Sequence, residues 1–205
     1  FTNNGTFTPG TGTVTFDGAS PQTIGGTTRT DFNALTIGSG ATVVLPAQGD
    51  ATVPRADTVI NNGTLRQSKS AVSGATNFFQ ILNVAGSADT YRGLDITPTG
   101  TPNLTVDIKG NTAICNNSAG GSYRNRCYKI TSNSAATGDL TLYSTAVEDD
   151  ISNDTIFKYA GGLSWAALTT TGGAADGDSV TSAGVSLSAG DNFFLVGNSA
   201  SAPTP

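Results

Sequence analysis

A chain of 205 residues is long enough for one large all-β domain or two small ones, and either buries a self-sufficient core. Its 26 Gly and 8 Pro, with abundant Thr, Ser and Asn, 37% hydrophobic and 12% charged residues, suit short strands joined by tight turns. A net charge of −5 with no His leaves no Ser-His-Asp or Cys-His arrangement and no clustered base for a polyanion.

The charge is unevenly placed. Residues 1–86 carry four Asp against three Arg and one Lys, so the whole net negative charge falls in 87–205. The densest basic cluster is Arg124, Arg126 and Lys129, too small for nucleic acid or anionic lipid, and both are excluded as partners. No stretch approaches the roughly 20 apolar residues of a membrane span, so membrane insertion is not expected, and the apolar core of a signal peptide is missing as well. A start at Phe1 in a chain without Met is read as a processed mature chain or an excised piece of a longer one.

Along the chain, Phe1-Thr-Asn-Asn-Gly-Thr-Phe7 recurs as Val59-Ile-Asn-Asn-Gly-Thr-Leu65, and the Asn-Gly pairs predict tight turns with positive φ. A second pattern sets an aromatic three residues before Leu-x-Ile/Val: Phe32 before Leu35 and Ile37, Phe79 before Leu82 and Val84, Tyr91 before Leu94 and Ile96. Further strands are expected at Thr13–Phe16, Ala41–Leu45 and Asp57–Ile60. Short similar strands recurring at intervals of roughly 20 residues predict a solenoid-like N-terminal part over 1–86, preferred to a sandwich decorated with Asn-Gly hairpins. The rhythm then changes. Longer alternating strands at Leu104–Ile108, Cys127–Ile130, Asp139–Tyr143, Thr155–Tyr159 and Asn192–Val196 predict an antiparallel β-sandwich over 87–198, with 199–205 as a tail.

The stretch from Phe1 to Leu45, with Asn-Asn-Gly-Thr-Phe7, Thr13-Val-Thr-Phe16, Gln22-Thr-Ile-Gly-Gly26 and Phe32-Asn-Ala-Leu-Thr-Ile37, resembles the β-strand repeats of bacterial cell-surface, adhesin-like proteins. The second part is similar to a sandwich module ending such proteins, through Arg126-Cys-Tyr-Lys-Ile130, Leu140-Thr-Leu-Tyr143 and Phe157-Lys-Tyr-Ala-Gly-Gly-Leu-Ser-Trp165. The resemblance implies parallel β-helical coils, a surface location and structural use, and it supplies no catalytic residues. The chain has room for only a few coils.

Candidate chemistry is sparse. Glu148, Asp149, Asp150 and Asp154 form the densest acidic group and offer hard oxygen ligands for calcium, but their spacing does not match the roughly twelve-residue EF-hand loop and a solvated acidic loop is the stronger reading. Asp176 and Asp178 are a weaker pair. No cofactor is expected. Cys115 and Cys127 bracket a Gly/Ser/Asn/Arg loop and are expected to form a disulfide. Asn4, Asn62, Asn103, Asn116 and Asn153 each begin an Asn-x-Ser/Thr sequon, at the frequency chance gives in such a composition. Trp165, beside a Gly-Gly turn, either stacks on a sugar ring or, more in keeping with its apolar surface, packs into a core.

The remaining signal concerns neighbours. Phe1, Phe7, Val14 and Phe16 form an alternating apolar stretch without a polar cap, expected to be covered by another copy of the chain. The expectation is a non-enzymatic extracellular or cell-surface filament subunit, a homopolymer through β-strand contacts. The alternative is an adhesive or carbohydrate-binding terminal module, whose partner would be a surface polysaccharide.

Overall fold

The computed structural model describes residues 1–47, 54–82, 90–110, 123–144, 154–162, 164–172, 179–201 and 203. The protein is all-β, with no helix among the described residues.

The first sheet stacks β1 (Thr13–Phe16), β3 (Asp31–Ile37), β5 (Arg55–Asn61) and β8 (Ile81–Leu82) in parallel, and β9 (Thr90–Tyr91) joins antiparallel to β8. The strands that alternate with these in the chain, β2 (Gln22–Thr23), β4 (Thr42–Val44) and β6 (Thr64–Lys69), stack in a second parallel ladder. Thr13 faces Ala34 and Ala34 faces Thr58, while Gln22 faces Val43 and Val43 faces Leu65, so successive rungs lie 21 to 24 residues apart. Phe1–Asn3 lies beside the continuation of β2: Thr2 bridges Gly25, and the Gly25 amide donates to the Phe1 carbonyl at 3.0 Å.

The second ladder does not stop at β6. Its far side pairs antiparallel with β11 (Leu104–Gly110), and the sheet continues through β12 (Tyr123–Ser132), β18 (Gly190–Asn198), β14 (Asp154–Gly161) and β15 (Ser164–Ala167). Eight strands thus form one sheet, parallel at one end and antiparallel at the other. The third sheet is antiparallel, in the order β16 (Thr171–Gly172), β17 (Ser179–Leu187), β13 (Ala136–Tyr143), β10 (Leu94–Pro98), β7 (Thr76–Phe78).

One apolar cluster runs from Phe16, Phe32, Leu35 and Val43 through Leu65, Phe78 and Ile108 to Ile130, Leu142 and Phe194. Period-2 alternation places Leu35 and Ile37 inside, and likewise Val106 and Ile108, or Leu140 and Leu142. Phe32 is out of step with Leu35 and Ile37. It sits fully buried at the end of β3, where its ring meets those of Phe1 at 5.8 Å, Phe7 at 5.7 Å and Phe16 at 6.5 Å. In this copy of the pattern the odd spacing of the aromatic therefore serves an aromatic cluster at the end of the stack.

The boundary expected near residue 86 lies within 83–89, outside the described residues. Strands on its two sides are joined by the β6–β11 ladder and by the β7–β10 pair.

The Asn-Asn-Gly repeat is not the predicted positive-φ turn, since neither Gly5 nor Gly63 has a positive φ. Each copy is a corner built on its first Asn. Asn3 Oδ1 accepts from the Gly5 amide at 3.1 Å and Asn61 Oδ1 from the Gly63 amide at 3.2 Å, while their Nδ2 groups donate to the Arg29 and Ile108 carbonyls. Both asparagines are buried, so these bonds replace water. Glycine is required at 63 by close approach: a Cβ there would sit 2.4 Å from the Gly38 carbonyl oxygen and 2.5 Å from that of Ala41. Gly63→Ala is expected to destabilise the protein by about 1–3 kcal/mol through overpacking against main chain, read as a lower urea midpoint; an unchanged midpoint would show that the corner can relax.

Candidate functional site

The expected assembly residues lie at the β1 end of the parallel stack. β1 is the outermost strand of the first sheet, and its sequence Thr-Val-Thr-Phe carries no charge, proline or bulge. Thr13 and Thr15 are exposed, Val14 is half-buried and Phe16 is buried. Phe1 is 44% exposed and meets Phe7 edge to face at 5.3 Å. The four predicted residues are therefore close together but not equivalent: Phe16 belongs to the core, whereas Phe1, Phe7 and Val14 retain surface. The Phe16 carbonyl accepts from the Gly38 amide at 2.8 Å, which directs the Val14 and Phe16 main chain toward β3 and that of Thr13 and Thr15 outward. On the outer face of this sheet Thr15, Thr36 and Ile60 stand in one row, and Ile60 is 45% exposed.

Arg124 and Arg126, two of the three residues in the densest basic cluster, are buried to 1% exposure. Alternation along β12 turns them inward with Tyr128. Arg124 pairs with Asp154 and donates to the Ser144 hydroxyl. Arg126 donates to the Arg92 carbonyl at 2.6 Å and the Tyr143 carbonyl at 2.9 Å, and its guanidinium lies over the Tyr91 ring at 4.3 Å. The Tyr91 hydroxyl is 3.2 Å from Asn61 Nδ2, which ties this polar row to the repeat corner. Tyr143 in turn donates to Asp95 at 2.7 Å under the Arg92 guanidinium; burial, then that hydrogen bond, pushes its hydroxyl up to about 12. These arginines are structural, a role that charge in a sequence does not announce.

On the outer face of the eight-stranded sheet, Asp107 is held between Arg66 at 2.6 Å and Lys129 at 3.3 Å. Burial by itself raises the Asp107 carboxyl, but Arg66 and Lys129 outweigh it and hold the group below the ordinary aspartate value. Farther along that face Trp165 is half-buried against Cys127, Phe157 and Leu195. Its ring meets Tyr159 at 5.3 Å with 61° between planes, and Tyr159 meets Phe193 at 88°. The rings are edge to face rather than coplanar, and the indole N–H is buried, a geometry of packing more than of a flat sugar platform.

Glu148, Asp149, Asp150, Asp176, Asp178, Asn116 and Asn153 lie outside the described residues. Asp154 is neither the solvated loop residue of the stronger reading nor shown as a calcium ligand: it opens β14, buried, with its carboxylate against Arg124. Among the described residues no group of three or more His, Cys, Asp or Glu could hold a metal ion. Cys127 is buried in β12 and no cysteine among the described residues is free, while Cys115 lies outside them. Asn4 and Asn103 are exposed, but their side-chain oxygens accept from the Thr27 and Ala71 amides.

No protein family, no curated protein and no solved structure matches this chain, so no role is carried over from a relative.

The buried pair yields a double-mutant test. Arg124→Met strands the Asp154 carboxylate and is expected to cost about 3–5 kcal/mol, whereas Arg124→Met with Asp154→Leu recovers most of that loss. Urea unfolding of the three proteins decides it, and a double variant no more stable than the single would refute the ion-pair account.

Proposed function

We propose that this chain is a non-enzymatic extracellular structural protein, the subunit of a filament or fibrous surface coat assembled through β-strand contacts. In this reading the parallel rungs are a short β-solenoid, and the antiparallel strands of the second and third sheets form the sandwich that follows it. The observation that carries the proposal is β1, an uncharged four-residue edge strand with outward main-chain groups and exposed Thr13 and Thr15. Edge strands of proteins that stay apart are ordinarily very short, charged, bulged or interrupted by proline, and β1, though short, has no charge, bulge or proline. Partly exposed Phe1 and Phe7 beside it supply apolar surface for a partner, each aromatic worth about 1.5–3 kcal/mol when fully covered. A sequence without His and the resemblance of Phe1 to Leu45 to surface-protein repeats point the same way.

An extracellular setting favours a Cys115–Cys127 disulfide, which would close a short loop and contribute about 2–3 kcal/mol. Intact mass after alkylation, with and without reductant, is expected to show no free thiol in the native protein; two alkylated cysteines would contradict it.

Assembly is tested by sedimentation velocity over a rising concentration series, with negative-stain microscopy of the fast-sedimenting fraction. Open-ended polymers are expected, and Phe7→Asp is expected to abolish them by placing an unpaired carboxylate in the contact. A chain that stays monomeric at every concentration would overturn the filament reading.

A further inference from the structure

A filament needs two different surfaces that fit each other and do not close on themselves. Resting on the filament reading above, we infer that the surface complementary to β1 is β15, at the opposite end of the eight-stranded sheet, and that successive subunits join head to tail through these two edges.

The described edges of the three sheets are unequal. β2 is two residues long and β7 is three, while β9 begins and β16 ends where the described residues do. Among the described residues only β1 and β15 of these edges reach four residues, and both are uncharged: Thr-Val-Thr-Phe and Ser-Trp-Ala-Ala. Ser164, Ala166 and Ala167 of β15 are exposed. Its ladder with β14 shifts register between Tyr159 and Gly161, and beyond that shift, from Trp165 onward, its main chain is oriented for pairing. The Leu168 amide donates to the Ile156 carbonyl at 2.9 Å, and the register sets Ala166 opposite Lys158 and Ala167 opposite Phe157. In the antiparallel alternation Ala166 therefore bonds inward to β14, and the amides and carbonyls of Trp165 and Ala167 face outward. β1 presents the same arrangement through Thr13 and Thr15. Each edge thus offers two residues with free ladder positions.

Their placement makes the contact open-ended. β15 and β2 are the two ends of an eight-stranded order, about 34 Å apart at the usual strand spacing. β1 belongs to the β2 end, where the Phe1, Phe7, Phe16 and Phe32 rings join the outer rungs of both parallel ladders. A copy whose β15 edge meets the β1 end of its neighbour leaves its own β1 end free for the next.

The test uses two variants that block one edge each without touching an internal bond. Thr15→Pro and Ala167→Pro remove outward amides, and proline is tolerated at such positions on an edge. Thr15→Lys and Ala167→Lys repeat the test without altering the backbone, with circular dichroism confirming that each variant folds. Sedimentation velocity is expected to show that each variant alone requires at least about a tenfold higher concentration to assemble than the unaltered chain. An equimolar mixture of Thr15→Pro and Ala167→Pro is expected to yield heterodimers and nothing longer, because each retains one live edge. Polymers of the unaltered chain that persist in Ala167→Pro and Ala167→Lys would overturn β15 as the complementary edge while leaving the filament reading intact. An unaltered chain that never assembles would remove both.

Discussion

The structure depends on how β6 satisfies its two sides. One side of β6 pairs parallel with β4 at Thr42–Thr64, and the other pairs antiparallel with β11 from Leu104–Lys69 to Lys109–Thr64. A parallel stack ends in a row of unpaired amides and carbonyls, which recruit other strands unless something covers them. Here β11 supplies the cover, and from β11 the sheet grows into the antiparallel half. With β6 closed in this way, the other end of its ladder is β2, next in the chain to β1, which is an open end of the first sheet.

Close approach at this junction is set by small residues and buried asparagine. Gly110 donates to the Gly63 carbonyl at 3.1 Å, and a Cβ at 110 would fall 1.9 Å from the Asn61 carbonyl oxygen. Asn61 fixes its corner, reaches the Ile108 carbonyl and meets the Tyr91 hydroxyl. From Tyr91 the contacts continue to Arg126 and the Tyr143 carbonyl in the third sheet. A polar row inside an apolar core contributes less to stability than to uniqueness of packing, because a slipped register would leave those donors buried and unbonded.

Much of this was legible in the sequence. The runs at Thr155–Tyr159 and Asn192–Val196 lie within β14 and β18, where Ile156 and Phe157, and Phe194, Leu195 and Val196, are buried on both faces. Those at Leu104–Ile108 and Asp139–Tyr143 lie within β11 and β13, because period-2 hydrophobicity is the imprint of a strand with one apolar face. The rungs at Thr13–Phe16 and Asp57–Ile60 were legible for the same reason. β17 was not, since Ser-Val-Thr-Ser-Ala-Gly-Val-Ser-Leu is small and polar and takes its strand character from β13 and β16 beside it. The Asn-Gly signal was legible as a corner but not in its mechanism, because close packing around a glycine is a tertiary property. Arg124 and Arg126 read as surface charge because arginine is seldom buried without a partner, and the partner Asp154 lies 30 residues from Arg124. The β6–β11 pairing joins segments some 40 residues apart and has no local signature.

On the filament reading the main-chain positions that pair between subunits lie at β1 and β15, while the β6–β11 ladder is closed within the chain. Residue-resolved hydrogen exchange, compared between dilute monomer and assembled material, tests it most directly. The Thr13, Thr15, Trp165 and Ala167 amides are expected to exchange rapidly in the monomer and become protected on assembly, while the β6 and β11 ladder amides are slow in both. Equal protection of the Thr15 and Ala167 amides in the two states, or rapid exchange across the β6–β11 ladder in the monomer, would contradict it.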